Sequence, residues 1–301
     1  MTPGVPGLLA AGKRAYTSGV RIRGGLLHRL SVTRLVLAVL VVSTLMTAAS
    51  AAPQRRRGGF GGSPLFTTPW LYDGRFVFCR LAFRQSFDGD GGGWAVDYPK
   101  ADLNFPFRLG ELTETPISHD SRGEPNHVVV TPTDPHLFQC PFVMMTEPGG
   151  AFFDEADAAA LRTYLDKGGF IWADDFWGEY AWAVWERELR KVLPESEFPV
   201  IDLPLDHQIF NISYLIPKLP QIPSINFWFN SGFQTSERRD SQEPHARGAI
   251  APDGRLIFLM THNTDFGDAF EREGEDRRFF DAFAASGYAF GVNVFLYAMT
   301  H

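Results

Sequence analysis

The sequence predicts a single α/β domain on a mostly parallel sheet, with helices covering both faces. Three observations carry this. Residues 142–178, FVMMTEPGGAFFDEADAAALRTYLDKGGFIWADDFWG, read as strand, helix, strand and polar loop. Helical and extended patterns alternate along the rest of the chain, as they do where crossover helices join parallel strands. Hydrophobic residues make up 45% and aromatics 14% of 301 residues, enough for a substantial core.

The N-terminus is set apart from the fold. Lys13, Arg14, Arg21, Arg23, Arg29 and Arg34 form a basic region with no acidic residue, Leu35–Leu45 is apolar, and Ala49-Ser50-Ala51 fits a small-residue cleavage pattern. Residues 1–51 therefore read as a signal peptide that exports the protein to the periplasm or outside the cell. The alternative is an uncleaved membrane anchor, since 35–52 approaches the length of a spanning helix. Residues 52–63 (APQRRRGGFGGS) read as a flexible linker, and 64–301 as the α/β domain. Cleavage would remove those six basic residues from 28, leaving 22 against 35 acidic ones, a net charge of −13. So acidic a domain repels nucleic acid and anionic membrane, and no stable membrane insertion is expected after cleavage.

Within the domain, 76–83 (FVFCRLAF) is a first strand, 88–93 a loop tip and 94–99 an aromatic extended stretch. Asp102 is placed to cap a helix running through Leu103, Phe105, Leu109 and Leu112, with Pro106 tolerated near its start. Strands follow at 127–131 and 142–146. Asp154 and Asp157 begin a helix over 155–167 that buries Leu161 and Leu165; Gly168-Gly169 ends it, and 170–173 resumes as a strand. Such a strand–helix–strand unit is right-handed and its strands parallel. A strongly amphipathic helix occupies 179–193 and stops at Pro194. Residues 200–203 form a short strand, and 211–231 resist assignment. Residues 249–261 form a hairpin around Asp253-Gly254, 274–278 a charged loop, and 279–300 a helix in its last part. Cys79 and Cys140 are the only cysteines; two separate buried residues is the plainer reading, though export permits a disulfide.

Ligands of open α/β sheets bind beyond the carboxyl ends of the strands. Glu147, Asp174-Asp175 and His262-Asn263-x-Asp265-x-x-Asp268 stand at such ends. Asp174 or Asp175 is thus expected within about 8 Å of the 262–265 turn, a span that a water or small ligand bridges. Asp174, Asp175, His262 and Asp265 are the candidate catalytic residues, as a carboxylate and an oriented base. Competing readings are a helix-capping Asp and a turn in which Asn and Asp bond their own backbone. Arg108, Glu147, Trp177, His207, Asn263 and Asp268 are candidate ligand-binding residues. No tight histidine motif is present, so neither metal nor cofactor is indicated. The chain lacks the Gly-x-Ser/Cys-x-Gly elbow of acyl-transfer enzymes, the phosphate-binding P-loop and the dinucleotide fingerprint.

The segments YPKADLNFPFRLGELT, LRTYLDKGGFIWADDFWG, LDHQIF, THNTDFGDAF and GVNVFLYAMT together resemble an uncharacterised bacterial domain-of-unknown-function family related to the class I glutamine amidotransferase-like superfamily. The resemblance implies a three-layer, flavodoxin-like sandwich but carries over no activity, and the elbow cysteine has no counterpart here. Its polar motifs match Asp102, Arg108, Asp174, Asp175, His207, His262, Asn263, Asp265 and Asp268. Two classes of function stay open. One is an exported binding or scaffold domain for a small molecule or envelope protein. The other is a hydrolase-like enzyme acting on a carbohydrate or cell-envelope compound.

Overall fold

The computed structural model describes residues 73–301; the expected signal peptide and linker lie outside the described residues. Those residues form, in order, β1 (Phe78–Leu81), β2 (Arg84–Gln85), α1 (Lys100–Thr113), β3 (His127–Val130), β4 (Phe142–Thr146), β5 (Ala151–Phe152), α2 (Glu155–Asp166), β6 (Phe170–Asp174) and α3 (Gly178–Val192). Then come β7 (Val200–Asp202), α4 (Ile225–Asn230), β8 (His245–Ile250), β9 (Leu256–His262), α5 (Phe266–Glu271) and α6 (Arg277–Thr300), the last with a π turn at Phe280–Ala284.

Seven strands make one sheet in the order β3-β1-β4-β6-β9-β8-β7. The first five are parallel, and β8 and β7 add an antiparallel edge. Parallel strands are buried on both faces, which is why β4, β6 and β9 are almost wholly apolar. Their side chains alternate between two hydrophobic clusters. Phe142, Met144, Phe170 and Trp172 pack with Phe105 of α1, Phe270 of α5 and Phe290 of α6. Val143, Met145, Ile171 and Ala173 pack with Leu161 and Leu165 of α2 and Trp185 of α3. Each fully buried side chain of this kind contributes roughly 1.5–3 kcal/mol. By length and composition α6 could span a membrane, but 61% of its most apolar window is buried inside the domain.

Local signals set the central unit as expected. Asp154 accepts from the Asp157 N–H while Asp157 reaches back to the Asp154 N–H, a reciprocal capping box. Gly168 follows α2 with φ +97°, the left-handed exit that a side chain would resist. Other expectations are corrected. Helix α1 begins at Lys100, two residues before Asp102, and no side chain caps it, so Pro106 lies mid-helix rather than in the first turn. Asp102 is wholly buried and bonds Arg80 instead. Cys79 and Cys140 are joined in a disulfide, because β1 and β4 are neighbours and bring their Cα atoms to 6.1 Å. The unassigned stretch holds only the short α4, and α5 forms where a polar turn was read.

Candidate functional site

Three adjacent parallel strands leave the sheet in the same unusual way. β4 is followed by Glu147 (φ 51°), β6 by Asp175 (φ 58°) and β9 by Asn263 (φ 62°). Asp97, on the loop between β2 and α1, has φ 64°. The left-handed region is tolerated by Asp and Asn and disfavoured for Glu, at about 1–3 kcal/mol each where the surroundings enforce it. Glu147 leads directly into a short 3-10 turn, Pro148–Gly150. Strained, polar strand exits are thus gathered on one edge.

Asp174 ends β6 and is fully buried. Its carboxylate accepts from the Thr261 hydroxyl and from the N–H groups of Phe266 (2.7 Å) and Gly267 (3.0 Å). It therefore caps α5, not the helix that follows its own strand; α3 is capped by Asn263 Oδ1 on the Gly178 N–H and by Asp240 on the Glu179 N–H. Burial raises Asp174 to about 7, against the pull of those three donors. Asp175 takes a bond from the Trp177 indole at 2.9 Å, and Asp265 accepts from the Asp268 N–H at 2.7 Å.

Asp97, Asp175 and Asp265 meet. One carboxylate oxygen from each lies within 4.8 Å of the other two, and the residues are only 6%, 7% and 3% exposed. Burial drives all three well above the ordinary carboxylate range, and mutual repulsion adds to it: Glu147 and Asp97 act on Asp175, and Asp175 and Asp97 on Asp265. Glu147 borders the group, accepting from the Gly92 and Gly93 N–H groups, and burial lifts it to about 7. Asp268 accepts from the Ile225 N–H at 2.6 Å and faces Arg272; burial raises it to about 6.

The other residues singled out in the sequence stand elsewhere. His262 is buried beneath Phe176 and Trp182, with Nε2 against the Gly178 carbonyl (3.0 Å) and Nδ1 against the Arg247 guanidinium (3.1 Å). Its hydrogen-bond partners are a carbonyl and a cation, not a carboxylate, and burial lowers it to about 4. That makes it a neutral packing group whose Nε2 donates and whose Nδ1 accepts. Arg108 pairs with Glu273 and Glu111, and His207 accepts from the Ile209 N–H and packs on Tyr297.

Two residues that the sequence reading did not single out complete the edge. Asp97 is one; its loop has no periodicity to mark it. Arg80 is the other, and its signal was available: a lone charge inside an apolar strand must find a partner. Arg80 is fully buried, pairs with Asp102, and donates to the Trp94 and Val96 carbonyls (3.2 and 3.0 Å) and to Thr146 Oγ1 (2.7 Å). It pins to the sheet the loop that delivers Asp97.

Chemically, this edge offers buried carboxylate oxygens, which accept hydrogen bonds and bind positive charge. A cavity of about 600 Å³, lined by Leu203, Phe210, Gln221, His245 and Phe283, adjoins the β9 exit through the bond from Gln221 to the Asn263 carbonyl, but none of the converging carboxylates lines it. No curated protein matches the chain significantly. The family model for a domain of unknown function, DUF4159, matches residues 78–299, from the first strand of the sheet almost to the end of α6, and the chain belongs to that family.

Proposed function

We propose that this is an exported binding or scaffold domain, whose ligand site is the acidic carboxyl edge of β4, β6 and β9, on a fold of the class I glutamine amidotransferase-like kind without its nucleophile. One observation carries the reading: Asp97, Asp175 and Asp265 converge, buried, at the strand ends where open α/β sheets bind ligands. The left-handed exits after β4, β6 and β9, the kind of turn on which an elbow-type enzyme carries Ser or Cys, carry Glu147, Asp175 and Asn263. A carboxylate there accepts hydrogen bonds and binds positive charge; it does not form an acyl-enzyme with glutamine. The hydrolase reading through Asp174 or Asp175 with His262 needs that histidine beside the carboxylates, and His262 faces Arg247 instead. The Cys79–Cys140 disulfide supports export, since such bonds persist in oxidising compartments. The test combines an activity screen with a binding screen. Purified protein should hydrolyse neither glutamine nor simple esters and glycosides, and should bind a cationic or hydroxylated ligand that Asp175→Asn abolishes. Turnover of any of these substrates that depends on Asp175 or His262 would refute the reading.

A further inference from the structure

We propose that Asp97, Asp175 and Asp265 hold one hard divalent cation of calcium's size. This rests on the reading of the acidic edge as the binding site and names its ligand.

The spacing is the first argument. Oxygens on opposite sides of a calcium ion, bonded at about 2.3–2.6 Å, stand about 4.6–5.2 Å apart; magnesium at about 2.0–2.1 Å requires about 4.2 Å or less. Three carboxylate oxygens, none more than 4.8 Å from another, fit within that calcium span; calcium's flexible shell takes whatever separations they have below it, where magnesium's near-ideal octahedron does not. All the donors are oxygens, which selects a hard ion over zinc or copper.

The second argument is independent of the clustering. Asp97 Oδ2 is buried and has no hydrogen-bond partner among the described residues. It points inward: a side-chain carbon at Gly267 would overlap Asp97 Oδ2 and lie 3.3 Å from Asp265 Oδ1. A buried acceptor without a donor is costly, and more so when it belongs to a carboxylate. A cation at the meeting point satisfies it.

The third argument is charge. A second trio, Asp97, Asp268 and Glu271, also comes together, but Arg272 reaches both Asp268 and Glu271. Among the described residues no salt bridge reaches Asp97, Asp175 or Asp265. Arg80 offsets part of the charge on Asp97, but its own hydrogen bonds go to Asp102, two carbonyls and Thr146. The ligands are also held from behind: the Trp177 indole orients Asp175, and the Asp268 N–H orients Asp265, as outer partners do in built metal sites.

The experiment is calorimetry on the purified full chain, stripped with a chelator and titrated separately with Ca²⁺, Mg²⁺, Mn²⁺ and Zn²⁺. One Ca²⁺ per chain is expected, and Asp97→Asn and Asp175→Asn should each weaken it about tenfold or more. Asp202→Asn, on the distant β7 edge, should leave it unchanged. Terbium(III) at this site would lie near Trp177, giving indole-sensitised emission that Ca²⁺ competes away. In chelator, the Asn variants should melt no lower than the parent, because they relieve repulsion; in Ca²⁺ only the parent should gain. The proposal is overturned by failure to bind Ca²⁺ stoichiometrically, by binding that survives both Asn variants, or by Zn²⁺ binding tightest. Asn variants that melt lower in chelator would likewise overturn it, in favour of carboxylates that only pack. A small molecule bound through Asp175 by stripped protein would overturn the cation and leave the binding-site reading standing; failure of both arms would remove both.

Discussion

Arg80 and Asp102 provide the sharpest test of how the edge is built. Both side chains are 0% exposed and joined through two guanidinium nitrogens, so removing either strands the other as a buried, unpaired charge. Breaking such a pair from one side costs about 3–5 kcal/mol. Arg80→Met and Asp102→Leu should each fall in that range. Removing both takes both charges out, and what remains is the loss of Arg80's bonds to the Trp94 and Val96 carbonyls and to Thr146. An orphaned buried acceptor costs roughly 1–3 kcal/mol, and the threonine hydroxyl can turn, so with two carbonyls orphaned the double variant should lose about 2–6 kcal/mol rather than the roughly 6–10 that addition would give. Equilibrium urea denaturation of the four proteins, disulfide intact, measures this coupling directly. Single variants within about 1 kcal/mol of the parent, or strictly additive losses, would refute the buried pair as the anchor of the Asp97 loop.

Two further outcomes follow from the same packing. The Cys79–Cys140 bond closes 61 residues, and on chain-entropy grounds reducing it should lower stability by about 4 kcal/mol; denaturation with and without reductant that superimposes would refute the link. His262, lowered by burial to about 4, should contribute stability that is complete above the unfolded histidine's pKa of about 6.5 and lost as pH falls through 4. Between pH 7 and pH 4.5 the parent should therefore lose about 2.5 kcal/mol more than His262→Gln, and equal pH slopes would contradict the buried neutral ring.

What could be read in the sequence was what is local. The capping box at Asp154–Asp157, the apolar runs of β4 and β6, and the Asp253-Gly254 hairpin each signal themselves within a few residues, and each is present. The address of the edge was also legible, because parallel strands deliver their ends to one side. Contacts between distant segments were not. Asp102 stands just ahead of an apolar stripe and so resembles a cap, but its partner Arg80 lies 22 residues earlier in another element. Asp174 was weighed as a cap for the next helix; it caps α5, 92 residues on, because β6 and β9 are neighbours and α5 starts just past β9. His262 and Asp265 are only three residues apart, yet the left-handed turn at Asn263 separates them: the histidine packs under aromatics beside Arg247, and the aspartate joins Asp97 and Asp175.

The strained exits give these placements a common cause. An extended residue after each strand would carry the chain straight out from the sheet. A left-handed residue turns it at once, so that the next side chains and N–H groups fold back over the edge. After β9, that turn lets Asp174 meet the N–H groups of Phe266 and Gly267 and fixes α5 against β6. With α5 fixed, Asp265 is held by its own cap bond to the Asp268 N–H. Gly267 leaves just the room that the Asp97 carboxylate occupies. Asp97 in turn is delivered by a loop that Arg80 ties to β1 and β4. The three carboxylates are thus held by three separate chain segments, each anchored by bonds that do not use the inward oxygen of Asp97. A cluster needed only for stability would be better built from apolar side chains, since buried like charges repel. Gathering them without a direct ion pair among the described residues, at the cost of several left-handed residues, is the arrangement expected of a preformed site for positive charge.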